Sequence, residues 1–132
     1  MVPLIVAEPA SERCAALWNA ADLVATSALT LVEVHAALAL AQRMGRIDDA
    51  HRLAALAVFD QRWAAMAHVS PSEDILHAAA ELTAGHGLRG YDAVHCATAL
   101  ELDTHDYIAV SGDRTLLRAW SALGIPTGNT NG

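Results

Sequence analysis

Apolar positions along this chain fall into two rhythms: long stretches with a helical period and short runs bounded by turn formers. Residues 1–7 read as a short helix ending near Pro9. Ser11 reads as the N-cap of a second helix through about Asn19, with Glu12 favourably placed in its first turn. The run Leu23-Val24-Ala25-Thr26, partly β-branched and bounded by Asp22 and Ser27, predicts a buried strand. Thr30 then caps a helix that runs to Gly45. A helix from about Asp48 to Met66 shows Leu53, Leu56, Ala57 and Val58 on an apolar face and Arg52, Asp60 and Arg62 on a wet one. Ala67-His68-Val69-Ser70 predicts a second short strand. Pro71 opens a helix with Glu73 and Asp74 near its positive end, and Gly85 to Gly87 stop it. Gly90 begins another helix, through about Leu102. Tyr107-Ile108-Ala109-Val110-Ser111 is the clearest strand, and Gly112-Asp113 leads into the helix Arg114 to Leu123. Ile125-Pro126-Thr127 is the last strand expected, so that one domain spans residues 1–128 and a flexible tail residues 129–132.

Strands separated by helices predict a parallel sheet covered on both faces, with function gathered at the carboxyl ends of the strands. A chain of 132 residues is one domain in size and can bury roughly two thirds of its unfolded surface. Its 54% apolar content excludes a disordered chain, and 29 alanines with few aromatics predict closely packed helices. All eight basic residues are arginine. The net charge of −7 excludes a broad basic face as the source of any affinity for nucleic acid, which would then need metal ions or a partner. Cys14 and Cys96 form no paired motif and read as small core residues of a reducing compartment. The N-terminus lacks the basic flank of a signal peptide, and no apolar run reaches the ~18 residues of a membrane span. The expected location is cytoplasmic.

Three carboxylates occupy positions that need explaining. Glu33 shares a helix face with Thr30, Ala36, Ala37 and Leu40, the small apolar side, where a charge is costly unless something positive compensates it. The plainer alternative is an edge glutamate reaching solvent. Asp92 lies in a first helical turn, where the dipole alone could account for it, and Asp113 follows a strand at an ordinary N-cap position. Taken together, a post-strand acid and two helix-borne acids can converge on one strand-end crevice.

Thr26-Ser27-Ala28-Leu29-Thr30-Leu31-Val32-Glu33-Val34 resembles the stretch of PIN-domain proteins in which a strand ends in Ser and a catalytic Glu lies in the next helix. Arg89 to Leu100 resembles the segment of VapC-type toxins whose Asp-Ala-x-His-x-Ala-x-Ala-Leu pattern holds the third acid. Val110-Ser111-Gly112-Asp113 resembles the Thr/Ser-x-Asp motif of the fourth, and Leu123-Gly124-Ile125 the small closing strand. The resemblance implies a PIN-like three-layer α/β/α fold with a short parallel sheet. The family's opening strand, of the form hydrophobic-x-Asp-x-Ser-Ala, is expected to fall just before Met1, since Glu8-Pro9-Ala10-Ser11 matches the turn that follows it. That implies either a start placed too late or a truncated protein.

The resemblance further implies an endoribonuclease toxin cutting RNA with Mg²⁺ or Mn²⁺, metals that prefer oxygen ligands. Glu33, Asp92 and Asp113 are the implied catalytic and metal-binding residues. Ser111 is implied to orient a ligand or water and Ser27 to support Glu33, while His95 reads as a packed or capping residue. Implied partners are an RNA substrate, a VapB-like antitoxin whose tail can place an arginine among the acids, and a second copy in a homodimer. Two alternatives stand beside this reading. One is a non-catalytic PIN remnant that only binds an antitoxin or a second subunit, and the other is an alanine-rich helical scaffold in which the acids are caps.

Overall fold

Asp48, Ser72 and Asp113 each start a helix with a short polar side chain that satisfies its first unpaired amides. The computed structural model describes residues 1–102 and 106–132, which divide into two units, Met1–His68 and Val69–Gly132.

In the first unit a short 3₁₀ turn at Val2–Leu4 precedes α1 (Ser11–Ala20), β1 (Ala25–Ser27), α2 (Leu29–Arg43) and α3 (Asp49–Ala64), and the unit closes in β2 (Ala67–Val69), whose last residue lies past its boundary. β1 and β2 pair, and Ala67 N donates to Val24 O at 2.9 Å. Two expected caps are corrected. Ser11 is the first residue of α1 instead of its cap, because its hydroxyl accepts from Glu8 N (2.9 Å) and donates to Val6 O (3.3 Å), fixing the turn before the helix. Thr30 lies inside α2 and is buried, its hydroxyl bonded to that of Thr26 at 2.7 Å.

Packing in this unit centres on Val34, Leu38, Ala55 and Phe59, where α2 meets α3, with Ile5, Val6, Leu56 and Trp63 around them. Phe59 is fully enclosed and meets the Trp63 ring at 5.6 Å. The buried stripe of α2 is therefore Thr30-Val34-Leu38, not the side expected from the sequence. Ala36 and Leu40 face water, and Glu33 is half-buried at the flank of the stripe.

Asp48 caps α3 by accepting from His51 N (2.8 Å), and its carboxylate also pairs with His51 Nδ1 (2.6 Å). The bond from the His51 backbone, followed by that from its ring, holds the Asp48 carboxyl below its usual range. A carboxyl with a depressed folded-state pKa stabilises the fold above its unfolded value, and the contribution is lost as pH falls through the folded value. Asp48→Ala is expected to lower the melting temperature at neutral pH, by a margin that shrinks as the buffer is taken toward pH ~2. Circular-dichroism melts across that range check it, and a pH-independent difference would contradict it.

The second unit runs α4 (Glu73–His86), α5 (Gly90–Leu100), β3 (Ala109–Ser111), α6 (Arg114–Ala122) and β4 (Thr127–Asn129). α4 begins later than expected. Ser72 is its cap, accepting from Ile75 N at 3.2 Å, and Pro71 stands outside, while Glu73 and Asp74 occupy the first turn as expected. Gly87 ends α4 at φ 63°, a left-handed position that favours glycine. α5 buries Ala93, Val94, Cys96, Ala97, Thr98 and Ala99, small residues that let α4 approach closely. Burial pushes the Cys96 thiol up to about 11, so it stays protonated and inert, in keeping with a core role.

β3 and β4 pair in parallel, Ala109 opposite Thr127 and Ser111 opposite Asn129. The last strand is thus displaced from 125–127 to 127–129. Its pairing is set by the backbone ladder, in which Gly128 lets Val110 lie close, and Ile125 instead fills the core just before it. The mixed α/β class expected from the sequence is the class found.

Candidate functional site

The site is built from the turn that joins β3 to α6. Ser111 Oγ accepts from Asp113 N at 3.0 Å, which folds the turn back on itself. Asp113 is the cap of α6, and its Oδ1 accepts from both Thr115 N (2.7 Å) and Leu116 N (3.0 Å). One carboxylate oxygen is thereby committed to the helix. At Gly112 a Cβ would come within 2.9 Å of Asn131 Nδ2 and of Thr130 Oγ1, so only glycine fits without a shift. Asn131 Nδ2 donates to Gly112 O and Thr130 N to Ser111 O, both at 3.0 Å, so residues after β4 clasp the turn.

Asp92 comes to the same place from the first turn of α5, which packs against α6. Arg89, the extended residue at the start of α5, makes no side-chain cap bond and instead reaches both acids. Its Nε donates to Asp92 Oδ2 at 3.2 Å, and its Nη2 lies 3.9 Å from Asp113 Oδ2. The Arg89 side chain is 84% exposed, against 23% for Asp92 and 37% for Asp113, so the acids are set into the surface and the cation is the water-facing member.

The structure therefore brings Asp92 and Asp113 together. Glu33 belongs to the first unit, where the Met1 α-amino group is pushed below its usual range by burial, with Cys14, Glu8 and Glu33 acting in the opposite direction. A positive group thus lies within electrostatic reach of Glu33. In the same unit Ser27 is buried, and its hydroxyl accepts from Leu29 N at 3.4 Å. His95 is half-buried on α5.

Arg89 is the residue that sequence reasoning missed. A signal was present, since it stands three residues before Asp92 at a helix start, a spacing at which side chains meet. Its second partner, Asp113, has no local signature.

Two adjacent carboxylates form a hard, anionic donor set. Mg²⁺ commonly binds through one or two carboxylates and keeps several waters, so the Asp92 and Asp113 oxygens fit such an ion, whereas zinc draws on nitrogen and sulfur. Among the described residues no group of three or more His, Cys, Asp and Glu side chains stands in a metal-holding arrangement.

Asp113 carries two separable properties, the cap and the charge. Asp113→Asn keeps an acceptor for the Thr115 and Leu116 amides and is expected to melt near the parent. Asp113→Ala is expected to lose ~1 kcal/mol of stability. Urea unfolding of the two variants checks this, and equal midpoints would contradict the capping role.

A family profile described as the PIN domain matches residues 1–119, and the chain belongs to the PIN-domain family. Within that family its relatives are of the VapC type. It is 33% identical over 123 residues to Ribonuclease VapC45 of Mycobacterium tuberculosis (strain CDC 1551 / Oshkosh), covering 93% of this chain and 85% of that protein. The same figures relate it to Ribonuclease VapC49 of Mycobacterium tuberculosis (strain ATCC 25618 / H37Rv). The resemblance to VapC-type PIN-domain proteins is borne out, and with it a PIN-like α/β fold.

Proposed function

We propose that this protein is a metal-dependent endoribonuclease toxin of a toxin–antitoxin pair, cutting RNA phosphodiesters with Mg²⁺ or Mn²⁺ held by Asp92 and Asp113. The observation that carries the reading is the meeting of Asp92 and Asp113 at one guanidinium. Family membership and relatives named as ribonucleases support it.

When bound, the divalent ion supplies Lewis acidity toward water and toward the scissile phosphodiester. The chain supplies placement. Ser111 and the α6 amides lock Asp113 through its backbone amide and Oδ1, which leaves Oδ2 outside the capping bonds. Asp92 is carried by α5, whose buried small residues pack it firmly. The net charge of −7 makes a cation necessary before an RNA phosphate can approach these acids.

The partners in this reading are an RNA substrate, a VapB-like antitoxin and a second copy of the chain, and the location is cytoplasmic. Among the described residues no helix is long and apolar enough to cross a membrane. The test is cleavage of a labelled RNA with Mg²⁺ or Mn²⁺ and with EDTA. Cleavage only with the metal is expected, and undiminished cleavage in EDTA overturns the mechanism. Metal binding without cleavage would favour the non-catalytic remnant that only binds a partner.

A further inference from the structure

Asp113 has one carboxylate oxygen to offer a cation. Its Oδ1 is held by two α6 amides, and Oδ2 is the atom that lies 3.9 Å from Arg89 Nη2. On Asp92 the atom engaged by Arg89 is also Oδ2, at 3.2 Å. A cation held by these acids would therefore meet a guanidinium of the same chain that already pairs with both. Arginine does not deprotonate in proteins, so its charge has to move away and cannot be neutralised in place.

We propose that Arg89 is an internal counter-ion of the Asp92 and Asp113 pair, displaced when a divalent cation binds, so that metal loading of this protein is a cation exchange. The inference rests on the metal-dependent reading above. It goes further by giving this chain a cation of its own among its acids. Two features make the exchange feasible. The Arg89 side chain is 84% exposed and can swing into water, and exposed ion pairs are weak enough to yield to a doubly charged ion. Until the ion arrives, the guanidinium offsets repulsion between the acids and keeps them assembled.

Mn²⁺ binding to the whole protein, followed by calorimetry, compares the parent with Arg89→Gln, Arg89→Lys and Asp92→Asn. Removing the competing charge is expected to tighten Mn²⁺ binding by about three- to ten-fold in Arg89→Gln, with Arg89→Lys between it and the parent. In the parent, Mg²⁺ titration is expected to shift the Arg89 Nε–H resonance, assigned by its loss in Arg89→Gln, with the same saturation as the calorimetry. This second readout stands even if a variant folds poorly. Unchanged or weaker Mn²⁺ binding in a folded Arg89→Gln overturns the exchange alone, as does a resonance that ignores Mg²⁺. Failure of the parent and Arg89→Gln to bind Mn²⁺, with Asp92→Asn equally inert, overturns the metal-dependent reading as well.

Discussion

Asp92→Asn is expected to abolish metal-dependent RNA cleavage, with a loss on the order of 100-fold or more. Groups that merely orient a metal ligand typically cost 10- to 100-fold in affinity or activity when removed, so a ligand itself belongs at or above the top of that range. The substitution is nearly isosteric. It keeps the first-turn position on α5, and the amide oxygen can still accept from Arg89 Nε, so the fold should survive. What changes is the charge on an oxygen proposed to bind the ion. The check is the rate of RNA cleavage at saturating Mg²⁺, together with a melting curve showing that the variant is folded. Equal rates for variant and parent would remove Asp92 from the mechanism.

Phe59→Ala is expected to destabilise the first unit more than any change at its surface. Phe59 is fully enclosed on α3 and packs among Val34, Leu38, Ala55 and Trp63, with the His35 ring edge-on at 6.2 Å. Truncating such a ring removes its burial and leaves a cavity, a combined cost of about 3–5 kcal/mol. Domains of this kind hold only ~5–15 kcal/mol in total. At roughly 3–5 °C per kcal/mol for this length, the melting temperature should fall by about 10–20 °C. Phe59→Leu, which keeps most of the volume, should cost less than ~1.5 kcal/mol. Urea unfolding of both variants tests the claim, and a Phe59→Ala midpoint within error of the parent would refute it.

Much of the second unit was legible in its residues. Asp113 reads as a cap because it follows a β-type run and precedes a helical one, and it caps α6 through two amides. Asp92 reads as a first-turn acid and is one. The first unit was less legible at its helix starts. Ser11 and Thr30 are good cap formers by type, yet each spends its hydroxyl on a neighbouring loop or strand residue, and the caps fall to Ala10 and Ala28. The face of α2 was misread for a related reason. Alanine, leucine and valine stand on nearly every side of that helix, so period alone does not choose the buried stripe, and packing against α3 selects Val34 and Leu38.

β4 shows the same limit from the other side. Apolar character pointed to Ile125-Pro126-Thr127, while the ladder to β3 recruited Thr127, Gly128 and Asn129, whose side chains advertise no strand.

Element type and order, the small-residue core of α5 and the placement of two acids at helix starts were determined by the sequence alone. Such features depend on backbone groups within three or four residues and on side-chain size. Only the tertiary structure decided that Asp92 and Asp113 share Arg89, because Asp113 reaches that guanidinium through the packing of α5 on α6 and the clasp of Thr130 and Asn131 on the Gly112 turn. Contacts between residues distant in the chain follow from how helices and strands pack, which no local pattern encodes.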